Sequence, residues 1–481
     1  MKQLTGENMR PLLLLEINEV PWRVVDKFKS EPRFRNLGKF FSGAATFTTI
    51  TVDKPGMLDP WVTWPSLHRG MDNSAHNVKN LGQDPDTFKG TPIWEEFRKQ
   101  GLPIGIFGSF QSWPPKDPGG SGFYIPDTFA HDEACIPKYI EPFQKFNLGQ
   151  VARNGRVIKG SSIFSSDVFR LLASLPRLGI SFRTMIRLAG QLLSEIGNRQ
   201  RRARRPIFQG ILAWDIFKEL FVPEAPPAFS TFFTNHVASI MHRYWKHIFP
   251  EDFGEKYSTE PKVHLETMNF AIEVVDEILG DAMGYCERNP DLILVFATSM
   301  GQKAILHDWH EGYEASIPIL ESLMTACGLK AKDYKPLLAM VPQVAIKVPD
   351  SDARTRLRKT LEGCRTQSDE KLFVVLEIGS SLSITSLTPK LRDIRAGGFM
   401  LPADGSGKTR FISWEDAGMV MNQVEPGTAY HFPEGVMAVY GKGVTPNEER
   451  KEMRADEVKE YLMRLSGLQR AEQPKRQLEG V

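Results

Sequence analysis

The sequence predicts an α/β fold in which a mostly parallel central sheet is sandwiched by helices. Three observations carry this. Short apolar runs recur, as in "PLLLLEINEV" and "DLILVFATSMG", and each ends in small or polar residues. Runs of that length without alternation fit strands buried on both faces, as parallel strands are. Elsewhere the chain repeats helix, glycine turn and strand, most plainly in "TPIWEEFRKQGLPIGIFGSF". Finally, "HLETMNFAIEVVDEILGDAMGYCERNP" runs straight into one of the strands. Its Phe270, Val274, Val275, Ile278, Leu279 and Ala282 recur at helical spacing and form one apolar face.

In chain order, the first strand is built on Leu12–Leu15 and carries Glu16, Asn18 and Glu19 at its carboxyl end. Open α/β sheets build their sites beyond such ends. Alternation sets Glu16 and Asn18 on one side and Glu19 on the other. "RFRNLGKFFSGAATFTTITV" reads as a short helix, a glycine turn and a strand. "DPWVTWPSLHRG" follows. Thr63 ahead of Trp-Pro reads either as a helix N-cap or as a hydroxyl facing a ligand at a helix start.

Residues 1–330 read as the α/β core, with a helical insertion at about 145–225. The insertion ends in "GNRQRRARRP", which reads as a solvated charge run. Behind an amphipathic segment it also suits anionic lipid or a phosphorylated carrier. Residues 331–427 read as a smaller β-containing cap subdomain beside the site. Its "ADGSGKT" lacks the full spacing of a phosphate-binding loop. Residues 428–481 return to the core through the strand "PEGVMAVYGKGV" and a terminal amphipathic helix.

Composition narrows the function classes. The 481 residues are 41% hydrophobic and 25% charged, ordinary for a globular protein. A net charge of +2 gives no global field for nucleic acid. The four cysteines form no CxxC pair, which speaks against a thiolate zinc site and a disulfide framework. The apolar run near the N-terminus is shorter than the roughly 7–15 residues of a secretion signal. No stretch reaches the ~18 apolar residues of a membrane span. The expected location is the cytoplasm.

A set of short motifs runs along this pattern: "EINEVPW" at the first strand end, "TWPS" at residues 63–66, "NHVASIMHRYWKHIFP", "FATSMGQ" and "HFPEGVMAVYG". Their order and spacing resemble the alkaline phosphatase superfamily, especially its type I phosphodiesterase and nucleotide pyrophosphatase branch. The resemblance covers most of the chain outside the two interrupting segments. It implies an alkaline phosphatase-like core and a divalent metal, with Zn²⁺ or Mn²⁺ the expected ion. Thr63 matches the nucleophile. Ser66, Trp64, His68 and Ser299 become candidate substrate contacts, with Trp61 as a second wall and Asp59 at the pocket edge. His242 and His431 match metal ligands, and imidazole nitrogen suits such ions. His236, Asn18 and Glu16 are further candidate ligands.

The sequence also departs from the family pattern. Asn18, Ala238 and Ser299 stand where the family has Asp, and Met300 where it has His. Carboxylates that offset the metal charge must then come from elsewhere. Glu16, Glu19, His236 and the loop cluster His307, Asp308 and His310 are the candidate substitutes. Two functions are consistent with this. One is a metal-dependent hydrolase or transferase acting on a phosphodiester or phosphomonoester, as a small substrate or on a phosphorylated glycan or lipid carrier. The other is a catalytically silent relative that binds a phosphorylated ligand or partner. Neither involves nucleic acid or a transmembrane segment, and both leave peripheral membrane contact open.

Overall fold

The apolar run Leu12–Ile17 forms β1 at the heart of an eight-stranded sheet, and all six of its residues are buried. The structure is a computed structural model. It describes residues 9–468 except positions 55 and 448 and the stretches 154–174, 255–261, 307–312, 340–342, 389–390, 392–396, 404–407 and 424–426.

Five further strands join β1 in chain order: β2 (Ala45–Ile50), β3 (Ile104–Phe107), β4 (Phe123–Ile125), β5 (Phe229–Thr234) and β6 (Ile293–Ala297). A separate two-stranded ribbon follows, made of β7 (Gly301–Ala304) and β8 (Ala429–Phe432). The chain then returns to the main sheet with β9 (Glu434–Tyr440) and β10 (Lys451–Arg454). Across the sheet the order is β10–β2–β9–β6–β1–β5–β3–β4. β1 runs parallel to both neighbours, with Glu16 level with Phe233 of β5 and Ala297 of β6. β9 alone is antiparallel to the strands beside it. The sheet is therefore mainly parallel, as the unalternating runs require.

Both faces are covered by helices: α1 (Pro60–Arg69), α2 (Phe182–Gly197), α3 (Arg205–Leu220), α4 (His236–Ile248) and α5 (Lys262–Arg288) are those the site and its surroundings use. Alternation along β1 feeds two cores. Leu13, Leu15 and Ile17 pack with residues of α3, α4 and α5. Leu12 and Leu14 pack with Trp61, Val62 and Trp64 of α1. The region expected as a helical insertion is helical where described, but α3 belongs to the core. Its Ile207, Phe208, Ile211, Trp214 and Phe217 are buried there, because its apolar residues run nearly all round the helix.

A third, separate core draws on residues from Ala315 to Met419. Around it an antiparallel sheet forms from Phe373–Ile378, Ser381–Ser386, Gln343–Lys347 and Lys335–Leu337. The helix Ser351–Glu362 buries Leu357 and Leu361 in it. This unit meets the main core closely at Gly82. A Cβ there would lie 2.6 Å from the Leu338 carbonyl oxygen, so only glycine fits without a shift. The "ADGSGKT" stretch leads into a strand, Thr409–Ser413, not into the helix a phosphate loop needs.

Candidate metal centre

β1 stops at Ile17 and the chain turns sharply. Glu19 takes φ 60°, a left-handed conformation uncommon for a residue with a side chain. Pro21 then opens the helix Trp22–Phe28. The turn brings the Glu19 carboxylate to two imidazoles from remote segments. Glu19 Oε2 lies 3.0 Å from His242 Nε2 and 3.5 Å from His431 Nε2. One ligand atom from each of the three falls within 4.8 Å of the others. His242 is on α4 and His431 on β8.

Neighbouring residues fix these groups. Gln302 stands opposite His431 in the ribbon and donates to Glu19 Oε2 at 2.5 Å and to the Ala238 carbonyl at 3.2 Å. Asn18 Nδ2 donates to Glu19 Oε1 at 2.8 Å and to Asn235 Oδ1 at 2.7 Å. His242 Nδ1 donates to the Ala429 carbonyl at 2.9 Å. That bond sets the tautomer, so a neutral His242 turns its Nε2 lone pair toward Glu19. Asp59, in the N-cap position of α1, adds a fourth group, with Oδ1 3.7 Å from His431 Nδ1.

The electrostatics show what the group lacks. Burial works to raise the Glu19 carboxyl, but the charges of His431 and His242, with hydrogen bonds from His242 and Gln302, outweigh it and hold it at about 2. Burial, and then the Glu19 charge, push Asp59 up to about 7. Burial also lowers His431, with Glu19 opposing. Two carboxylates and two imidazoles thus converge, and the two carboxylates oppose each other's ionisation. A divalent cation would relieve the Glu19–Asp59 repulsion. His431 turns Nε2 toward Glu19 and Nδ1 toward Asp59 and the Leu58 backbone. The nitrogen–oxygen donor set of Glu19, His242 and His431 fits a divalent transition ion. Glu19 is closed off, but the His242 and Asp59 side chains are 30% and 28% exposed, so the group can be reached from solvent.

Thr63 lies one turn along α1 from Asp59, on the same helix face. It does not cap the helix, since Asp59 holds that position. Its hydroxyl shares a 2.8 Å hydrogen bond with Ser299 Oγ. Thr63 is wholly buried and Ser299 nearly so, and the two form a closed pair.

The other sequence candidates go elsewhere. Glu16 is no ligand to this group: its Oε1 lies 2.7 Å from His68 Nε2 inside the core. The His68 ring stacks on Trp64 at 5.5 Å and meets Trp94 edge-on at 4.8 Å. Trp64 walls no open pocket. It is fully buried, and its Nε1 donates to Asn18 Oδ1 at 2.8 Å. That bond uses the oxygen a metal would need, so Asn18 supports Glu19 instead of ligating. His236 turns into the core, with Nδ1 2.7 Å from Thr234 Oγ1 and Nε2 3.1 Å from the Ala271 carbonyl. Both ring nitrogens are engaged, and burial pushes the ring down to about 4. His307, Asp308 and His310 lie outside the described residues.

Ser66 is buried in a Ser–His–Asp arrangement of the wrong polarity. Val78 N–H donates to His76 Nδ1 at 2.9 Å, so the proton sits on His76 Nε2. That nitrogen donates to Ser66 Oγ at 2.8 Å, and Ser66 donates to Asp53 Oδ1 at 2.6 Å. A general base would have to accept from the hydroxyl, not donate to it. Sequence reasoning misses Gln302 and Asn235. Gln302 closes the "FATSMGQ" run, where attention to the strand end could find it; Asn235 carries no such signal.

No protein-family model matches the chain, and no curated protein does. Solved structures do. Murine ectonucleotide pyrophosphatase/phosphodiesterase 5 aligns over 96% of both chains, with 9% identity and a TM-score of 0.43. An inactive form of that murine protein in complex with AMP aligns over 96% of both chains, with 10% identity and a TM-score of 0.44. The human counterpart aligns over 96% of both chains, with 9% identity and a TM-score of 0.42. At such identity the chemistry has to be read from this chain's own residues.

Proposed function

We propose that this chain is a metal-dependent hydrolase or transferase of phosphate esters, on an alkaline phosphatase-like core. One observation carries the proposal: Glu19, His242 and His431 converge from three remote segments. Asp59 stands beside them. These residues would hold Zn²⁺ or Mn²⁺, which when bound supplies positive charge to a phosphoryl oxygen or acidifies a water. The chain's own groups do the positioning. Gln302 and Asn18 aim the Glu19 carboxylate, and the Ala429 carbonyl holds His242 in one tautomer. Thr63 Oγ1 is the candidate nucleophile, one helical turn from Asp59, and its attack requires the contact with Ser299 to open. The substrate class is a small phosphate ester or a phosphorylated glycan or lipid carrier.

A second reading has its own support, because Thr63 has no solvent exposure. In it the chain binds a phosphorylated ligand at the metal group and does not turn it over. Elemental analysis of the purified protein, with a phosphodiester and a phosphomonoester assayed on wild type and Thr63→Ala, separates the two. Bound metal with turnover that Thr63→Ala abolishes supports the hydrolase. Bound metal and ligand binding without turnover supports the binder. No metal in the wild type, and no uptake of added Zn²⁺ or Mn²⁺, overturns both.

A further inference from the structure

Helix α2 packs Met185 and Leu188, partly buried, against the main core and turns a second apolar stripe outward. Phe182 is 72% exposed, Ile186 57%, Leu193 69% and Ile196 82%. At 3.6 residues per turn these positions fall on one narrow stripe. The buried residues of the same helix are polar: Thr184, Gln191 and Glu195. Each buried group has a partner. Ser181 accepts from the Thr184 backbone N–H, Gln191 donates to the Arg201 carbonyl at 2.8 Å, and Glu195 pairs with Arg205 at 2.7 Å. Specific bonds therefore hold the apolar stripe outward.

Positive charge flanks the stripe. From Phe182 to Arg205 the chain carries seven arginines and one carboxylate, Glu195. Glu277 takes Arg183 and Arg187, and Glu266 takes Arg204. Among the described residues Arg199 and Arg201 have no acidic partner, and Arg201 Nε is buried without a hydrogen bond. Arg201 also lines a concavity of about 260 Å³ with Arg187, Gln191, Ser194, Arg204 and Phe270. Three guanidinium groups face that space, and none of its lining residues is acidic.

The geometry points to α2 as a membrane-docking helix for an anionic lipid surface. Phe182, Ile186, Leu193 and Ile196 enter the boundary between headgroups and acyl chains, and the arginines around Arg201 take lipid phosphate. No described helix is long and apolar enough to cross a membrane, so the contact is peripheral. A second copy is a poorer occupant of the stripe. Two-fold pairing of α2 would bring the arginine-rich flanks of both chains together, and like charges oppose that. The inference does not depend on the proposed hydrolase activity.

Co-sedimentation of the full chain tests it, with vesicles of phosphatidylcholine alone and of phosphatidylcholine mixed with phosphatidylglycerol. Binding is expected only to the anionic vesicles, with release in high salt. Ile186→Ser combined with Leu193→Ser changes two surface positions. It should weaken binding by roughly tenfold or more and leave the circular dichroism spectrum unchanged. Arg201→Gln should weaken binding less and flatten its salt dependence. No binding to anionic vesicles at low salt, or binding that the double variant retains in full, overturns the proposal. A wild-type dimer in size-exclusion chromatography that the double variant turns into a monomer would assign the stripe to a second copy.

Discussion

Gln302 and His431 stand directly opposite each other across the β7–β8 ribbon, and both side chains reach Glu19. Opposed residues of an antiparallel pair share one face, so a single ribbon supplies an imidazole and the amide that aims the carboxylate. The same ribbon is tied to α4. Thr428 N–H donates to the His242 carbonyl at 2.6 Å, and His242 Nδ1 donates to the Ala429 carbonyl. Any shift of the ribbon would move His431 and His242, two of the three converging side chains, together. The site is therefore as rigid as the packing between the ribbon, α4 and the turn after β1.

Metal affinity should follow this arrangement. Isothermal titration of metal-free protein with Zn²⁺ or Mn²⁺ should show binding in the wild type and none in Glu19→Gln or His431→Ala. Gln302→Ala removes only an orienting bond and should weaken affinity by about 10–100-fold. Wild-type affinity in Glu19→Gln would remove Glu19 from the site.

Thr63 can be tested without confusing chemistry with folding. Thr63→Ala leaves Ser299 Oγ buried without its partner, at a cost of about 1–3 kcal/mol. A urea unfolding midpoint would read that loss. Turnover of a phosphate ester should vanish in Thr63→Ala and persist at a reduced rate in Thr63→Ser. Undiminished turnover in Thr63→Ala would show that the hydroxyl takes no part.

The sheet is legible in the sequence because Leu12–Leu15 and Ile293–Ala297 are uninterrupted apolar runs with one good physical solution. That His242 and His431 lie together is legible through motif order. The carboxylate is harder. The sequence resemblance points to Asn18, whereas the carboxylate that meets His242 and His431 belongs to the next residue. Once Glu19 takes φ 60°, strand alternation no longer says where a side chain goes. Ser66, Trp64 and His68 mislead for another reason. All ten residues of α1 are buried, so its polar groups find partners inside the fold instead of facing a ligand. Those partners, such as Asp53 and His76 for Ser66, lie outside the helix and leave no periodic trace.

The Glu16–His68 pair should matter to stability and not to metal. Both residues are almost wholly buried, and Glu16 Oε2 and His68 Nδ1 have no further partner. His68→Ala strands Glu16 among apolar neighbours and removes a ring that packs against Trp64 and Trp94. Breaking a buried pair in this way costs about 3–5 kcal/mol. Chemical unfolding should show that loss, while Zn²⁺ or Mn²⁺ affinity of the folded fraction stays at the wild-type level. Unchanged stability would mean the pair is not sealed as the structure has it.

His236 should make the fold acid-sensitive. Burial pushes its ring down to about 4, against the ordinary 6.5, while the Ala271 carbonyl opposes the shift. The unfolded chain therefore takes up this proton as pH drops through about 6.5, and the folded chain resists until about 4. The contribution to stability is complete above about 6.5, is lost as pH falls through that window, and flattens below about 4. A shift of this size is worth about 3 kcal/mol. His76, lowered to about 4 by burial and the Arg69 charge, adds a loss of the same sign. Urea unfolding at pH values across the window should show a smaller acid loss in His236→Gln than in the wild type. Equal losses would remove His236 from the linkage. Metal titration of the same variant makes the structural assignment sharper. A ligand at this position would take metal binding away with it, whereas a ring bonded to Thr234 and Ala271 predicts wild-type affinity in His236→Gln.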